Sequence, residues 1–392
     1  MKYRFLFLAV ILIGLLGILS CSDDPSSIGI DLLEGDFVIV STFDTRDDTV
    51  SQSSSFFKEV VPLGLSSKVL VGRRDDLEAT TLMDFAFFID DSLQQDFLDG
   101  NITVTHAFIE LSPIYTYTDE TAEYDFTVHN ITSEWSITGF TSDSLANLTY
   151  DEDDLSSNKN FTDSIYTFDL NNEFVLQWIK IAIDSSLGEN NGIYIKPTMN
   201  TGKVVGFQAL TIISSNAAKL KVVIEKQGSY VDTISAFILA DVSAIIADLP
   251  VLPVEDIGVQ ASTTIQSKLF FDLSKVPRDI IINKAELILT EDTLSSIKGS
   301  SFNPNLTVFL ITDSSDLSLD EDRAVALNKE NNIYTGDITS FITSWITNED
   351  NQGMVIKPES LIDGLELFAI KGSEYPELSD RPRLRIVFTI KE

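Results

Sequence analysis

Three observations predict an all-β chain built as two tandem β-sandwiches, jelly-roll-like, each with one short helix and both following an apolar leader. First, short runs rich in Val, Ile, Thr and Phe, such as Phe37–Val40, Asn101–Val104, Lys221–Ile224 and Arg385–Phe388, alternate with Asp, Asn, Ser, Gly and Pro. That is the composition of half-buried pleated surfaces separated by turns. Second, helical periodicity is confined to two stretches, Asn171 to Ile183 and Asp337 to Ile346. Third, the chain repeats itself. His106–Leu111 answers Lys284–Leu289, Phe174–Trp178 answers Phe341–Trp345, Asn191–Pro197 answers Gln352–Pro358, and Lys219–Ile224 answers Arg383–Phe388. The four blocks keep their order, and their spacing drifts only through loops. Copies of roughly 160–190 residues mean tandem domains, since solenoid repeats run to about 20–50. The boundary is expected at Gln227 to Thr233. The divisions are then a leader over 1–20, a tether over 21–36, a first sandwich over 37–229 and a second over 230–392.

Taken in order, the leader comes first. Lys2 and Arg4 precede Phe5–Leu19, an almost uninterrupted apolar run. It is too short to cross a ~30 Å hydrocarbon core comfortably as a helix and fits the apolar region of a secretory signal peptide. The run ends in Ile18-Leu19-Ser20-Cys21, which resembles a bacterial lipobox. That resemblance implies that Cys21, the one cysteine of the chain, is acylated and becomes the first mature residue. Two or more acyl chains give stable membrane anchoring; the other readings are a transmembrane anchor or a buried thiol. Ser22-Asp23-Asp24-Pro25-Ser26-Ser27 reads as a polar tether. Ser after the cysteine speaks against inner-membrane retention, and the acidic pair resembles the export signal of Bacteroidota surface lipoproteins. The resemblance implies a lipid-anchored outer-membrane protein at the cell surface, with an ordinary linker as the alternative.

Charge narrows the partners. The 392 residues carry 27 Lys+Arg against 60 Asp+Glu, a formal net charge of −33. Sequence-independent nucleic-acid binding needs cations to displace counterions, so it is excluded, and so is docking of the folded body on an anionic membrane. A 44% hydrophobic content is globular and excludes wholesale disorder. Two His and one Cys leave no material for His- or Cys-centred zinc sites or a disulfide scaffold.

The repeat resembles the DNRLRE-type carbohydrate-binding module, a secreted β-sandwich. Val71-Gly72-Arg73 with Leu82-Met83-Asp84-Phe85 is similar to its "vGr … LLrFd" opening, and Ile257-Gly258 with Leu269–Leu273 stands there in the second copy. The strands at Ala107 and Ala285, the segment Val128–Trp135, and the run from Phe168-Asp169-Leu170 through Trp178 to Asn191-Gly192 carry the rest. The second copy lacks a tryptophan answering Trp135, and Leu145–Asp163 is longer and more acidic than the family's loop. The resemblance implies binding of polysaccharide or cell-surface glycan, although such modules also serve as spacers.

No catalytic constellation accompanies the fold. His106 and His129 have no nucleophile elbow or metal motif beside them, so an enzyme is not expected. Trp178 and Trp345, at matching places on apolar helical faces, read as core anchors more than sugar platforms. Trp135 follows a polar turn and is a candidate stacking residue. Tyr115 and Tyr117 share one strand face and either bind sugar or cover a sheet. Asp151, Asp153 and Asp154, and Asp320 and Asp322, lie in oxygen-rich loops that suit structural Ca²⁺ or stand as solvated acidic loops; no cofactor is otherwise required. The expected function is a non-catalytic lipoprotein whose modules bind glycan. The alternative is a structural, adhesion or protein-interaction lipoprotein whose modules act as spacers among other envelope proteins.

Overall fold

The computed structural model describes residues 40–47, 50–210, 216–347 and 350–390. The leader, Cys21 and the tether lie outside them. Two short strands come first, β1 (Val40–Asp44) and β2 (Gln52–Lys58). The N-terminal unit then comprises β3 (Lys68–Arg74), β4 (Leu77–Phe87), α1 (Asp91–Leu98), β5 (Ile102–Leu111), β6 (Pro113–Tyr117), β7 (Phe126–Asn130), β8 (Ser156–Phe161), β9 (Tyr166–Leu170), α2 (Asn172–Ile183), β10 (Ile193–Pro197), β11 (Val204–Gln208), β12 (Lys219–Lys226) and β13 (Tyr230–Ile246). The C-terminal unit comprises β14 (Asp256–Gln260), β15 (Ile265–Phe271), β16 (Ile280–Thr290), β17 (Leu306–Asp313), β18 (Ser318–Glu330), β19 (Ile333–Asp337), α3 (Thr339–Thr347), β20 (Met354–Pro358), β21 (Leu367–Lys371) and β22 (Arg383–Ile390).

The chain is all-β, with two large antiparallel sheets, each folded over its own core in the manner of a sandwich. In the first, β6-β11-β3-β4 continues through β13 to β12-β5-β9-β8, and β10 joins β4 to β7. In the second, β21-β14-β15-β20-β17 passes through the long β18 to β19-β16-β22. Alternation along the strands sends one side chain in two to the core: Ala107, Ile109 and Leu111 on β5, and Ala285, Leu287 and Leu289 on β16, are all buried.

The two predicted helices form where their periodicity places them. Asn171 caps α2, its side chain accepting from the Phe174 amide, and the helix buries Val175, Trp178 and Ile179. The Trp178 indole stands edge-on to Phe85 and Phe87 at centroid distances of 6.0 and 5.9 Å. Trp345 fills the matching place from α3, beside Phe341. Both rings are core anchors. A third helix, α1, was not expected; Phe97 is its one fully buried side chain, too little to set a periodicity. The repeated turn before β10 and β20 is also built twice alike. The Asn190 and Asn351 side chains accept from the amides of Gly192 and Gly353 at 3.0 and 3.1 Å. Both glycines have positive φ, and a Cβ on Gly192 would lie 2.2 Å from the Met83 carbonyl oxygen.

The boundary at 229/230 divides the sequence repeat but not the folded units. β1 pairs with β22 and β2 with β15, so the first strands of the chain complete the C-terminal sandwich. β13, which opens the second repeat, pairs with β12 and β4 and completes the N-terminal one. The two segments occupy matching slots in matching register. Phe43 faces Ile386 as Ile234 faces Val222, and Ser54 faces Leu269 as Asp241 faces Met83. Each repeat has therefore given its leading strand to the other. The sandwiches are residues 68–246, and 256–390 with 40–58, in place of 37–229 and 230–392. Sequence repetition fixes which segments are equivalent but carries no information on which copy each pairs with.

Candidate functional site

Tyr115 and Tyr117 do share one face of β6, but that face is closed by the second sandwich. They are 2% and 3% exposed and pack with Leu63, Leu70, Val204 and Leu365. The Tyr115 hydroxyl accepts from the Leu365 amide at 2.9 Å, and Gln260 Nε2 donates to the Tyr117 hydroxyl at 3.4 Å. Gly299 lies on the Tyr115 ring, where a Cβ would stand 2.3 Å away. Burial, with the nearby Glu366 carboxylate, raises the Tyr115 phenol, and burial raises that of Tyr117. Neither ring is available to stack on a sugar; both hold the two sandwiches together. The expectation of a tyrosine platform is corrected for that reason.

The junction continues through polar contacts. Ser67 donates to Asp363 Oδ1 from its amide at 2.6 Å and its hydroxyl at 2.7 Å. Thr116 and Ser300 exchange two further bonds, at 2.9 and 2.8 Å. Burial raises the Asp363 carboxyl, but the Ser67 and Ser360 donors and the Lys68 charge outweigh it and hold it below the usual range. Beside these groups opens a cavity of roughly 370 Å³ lined by Lys68, Phe302, Ser360, Asp363, Glu366 and Phe368.

Trp135 is half-buried on the first sandwich. Its Nε1 donates to the Asn191 carbonyl at 2.7 Å, and its ring stands edge-on to Phe140. It lines a shallow hollow of roughly 260 Å³ with Glu134, Ser136, Phe140, Asn147 and Leu148. Of the three aromatic candidates, it alone keeps a face toward solvent.

The carboxylates of the acidic loops are engaged by local donors. Asp154 Oδ1 accepts from the amides of Val128 and Ser156 and from the Ser156 hydroxyl. Burial raises this carboxyl, and those donors hold it below the usual range all the same. Asp151 accepts from Asn130 Nδ2 at 2.7 Å, and Asp153 is exposed. In the other sandwich Asp320 is held by Arg323 Nε at 2.6 Å and by the Asp322 amide, with Asp322 itself exposed. Among the described residues no group of three or more His, Cys, Asp or Glu could hold a metal. Ca²⁺ asks for six to eight convergent oxygens, whereas these carboxylates already satisfy local donors. His106 bonds Asp169 at 2.8 Å and stacks on Phe108, and His129 is held between Thr127 and the Asp151 carbonyl.

Sequence reasoning passed over a set of carboxyls that burial raises, Asp84, Asp241, Asp256 and Glu366, of which two move furthest. Burial, then the neighbouring Asp292 carboxyl, pushes Asp256 up to about 7, and burial pushes Asp241 up to about 6 against the Leu210 amide it accepts from. Both keep their proton in the folded chain at pH values where the unfolded chain has lost it. Stability therefore falls as pH rises from about 4 to about 7. Asp44 behaves oppositely: its bond to Arg383 holds it below the usual range, so its contribution is lost as pH falls below about 4. Urea denaturation across pH is expected to place maximum stability near pH 4–5, with Asp256→Asn flattening the decline on the alkaline side. An optimum above pH 7 would contradict this assignment.

No protein-family model matches the chain, and no curated protein matches it either.

Proposed function

We propose that this chain is a non-catalytic, lipid-anchored envelope protein whose two sandwiches work as a structural or protein-interaction module. The observation that carries this reading is the use made of Tyr115 and Tyr117: the aromatic face best suited to a ligand is spent joining the sandwiches. The lipobox-like Ile18–Cys21 motivates the anchor, and the tether's resemblance to a surface-export signal motivates the outer membrane and cell surface as its place. The exchange of leading strands between the repeats supports a role in which the pair acts as one unit.

Glycan binding is the second reading, favoured by one feature, the hollow at Trp135, together with the resemblance to carbohydrate-binding modules. Electrophoretic retardation of residues 22–392 in a panel of neutral and acidic polysaccharides, with calcium and with chelator, separates the two. The structural reading expects unchanged mobility throughout. Retardation by one polymer, abolished by Trp135→Ala with folding intact, would overturn it in favour of the glycan reading. Capture of partners from the cell envelope then identifies what the module joins.

A further inference from the structure

The slot filled by β1–β2 runs along β22 on one sheet and β15 on the other. Inside it Phe43 and Phe56 reach the core. Arg383 Nε donates to Asp44 at 2.9 Å, the Leu384 amide to Thr45 Oγ1 at 3.0 Å, and the Ser373 amide to Ser54 Oγ at 2.8 Å. These partners all belong to the C-terminal sandwich. The segment is joined to the rest of the chain through the stretch 59–67 alone, which leads into β3 of the other sandwich.

That stretch, and its counterpart 247–255 after β13, are both short. In the N-terminal sandwich β13 and β3 lie on either side of β4, each antiparallel to it, and so run parallel to one another. A leading strand that folded back onto its own repeat would need a parallel crossover, and such connections take about a dozen residues or more. Short connections of this kind favour giving the strand to a neighbouring copy. The two repeats do so within this chain, in matching register. The contacts in the slot are the same whichever molecule supplies the strand. The stretch 59–67 favours the chain's own copy, through Leu63 in the junction, through the Ser67 bonds to Asp363, and as a tether, a short one being worth an effective concentration on the order of 1 mM.

The geometry points to the C-terminal sandwich as a strand-acceptor site for a second copy of this chain: the β1–β2 segment of one molecule seats between β22 and β15 of its neighbour. This pairing rests on strand topology and stands or falls apart from the lipid anchor and from the glycan screen. Molecules crowded on one surface would be linked by exchanged strands, each still a complete pair of sandwiches.

Disulfide trapping tests it on residues 22–392, which keep every described strand and contain no cysteine. Thr42 lies opposite Val387. Because the Thr45 amide bonds the Leu384 carbonyl, the Thr42 pair falls at a non-hydrogen-bonded position, where Cα atoms approach closely enough for a disulfide. Chains carrying Thr42→Cys and chains carrying Val387→Cys, with different tags, are mixed, unfolded, refolded together and oxidised. The expected result is a disulfide between the two chains, its yield rising about tenfold or more as protein goes from about 10 µM towards about 1 mM. The doubly substituted single chain closes its own disulfide and fixes the register. Cross-linking no greater than that of Thr42→Cys with Ser315→Cys, in an exposed loop, while the double variant closes, would overturn the proposal. Failure of the double variant to close would remove the register and the proposal with it.

Discussion

A chain beginning at residue 60 is expected to lose its C-terminal sandwich while keeping the N-terminal one. The missing segment supplies Phe43 and Phe56 to the second core and the ladder partners of both β22 and β15. Removing one buried Phe ring costs about 3–5 kcal/mol, and the stability of a whole domain is about 5–15 kcal/mol. Two rings and two strand edges therefore exceed what the unit can lose. β13 cannot make up the deficit, because a tight turn at Gly228, with φ +73, keeps it on β12. Limited proteolysis of 60–392 is expected to leave a protected fragment ending near residue 246, with about half of the strand signal gone from circular dichroism. Full protection of 256–390 in that chain would show that the segment is dispensable.

Tyr115→Ala is expected to destabilise the junction of the sandwiches by about 3–5 kcal/mol, the range for deleting a buried aromatic ring. Tyr115→Phe keeps the ring and removes the hydroxyl that accepts from Leu365, leaving a buried amide without its acceptor, at about 1–3 kcal/mol. Urea titration of the two variants measures both, and the size order Ala above Phe is part of the expectation. A ligand-binding tyrosine would behave differently, leaving stability in place while affinity fell. A Tyr115→Ala chain as stable as the parent would remove the interface role assigned to this ring.

Much of this architecture was legible from residue order. Apolar periodicity located α2 and α3 to within a residue or two at each end, and the recurrence of Trp178 and Trp345 marked them as core before any packing was seen. The same-face reading of Tyr115 and Tyr117 held, because strand alternation is local; their burial did not follow, because the surface that covers them is some 250 residues away in Leu365. The acidic loops were open to two readings for the same reason. Composition counts carboxylates, but whether they converge depends on backbone amides such as those of Val128 and Ser156, which no composition reports. The strand exchange was the least legible feature of all, since β1–β2 and β13 suit either slot.

That interchangeability bears on the order in which the chain acquires its structure. The first strands to be made are among the last to find their place, because Val40 pairs with Thr389 and Phe43 with Ile386. Contacts so distant in sequence form slowly. Residues 68–226 meanwhile leave the matching slot open, because the stretch 59–67 is too short to carry β1–β2 across β4 and into it. The first sandwich therefore waits for β13, which zips along β12 from the Gly228 hairpin. The leading segment waits longer, for β15 and then β22. A tandem repeat that exchanges strands thus finishes its first sandwich only once the second repeat has begun, and its second only once β22 is made.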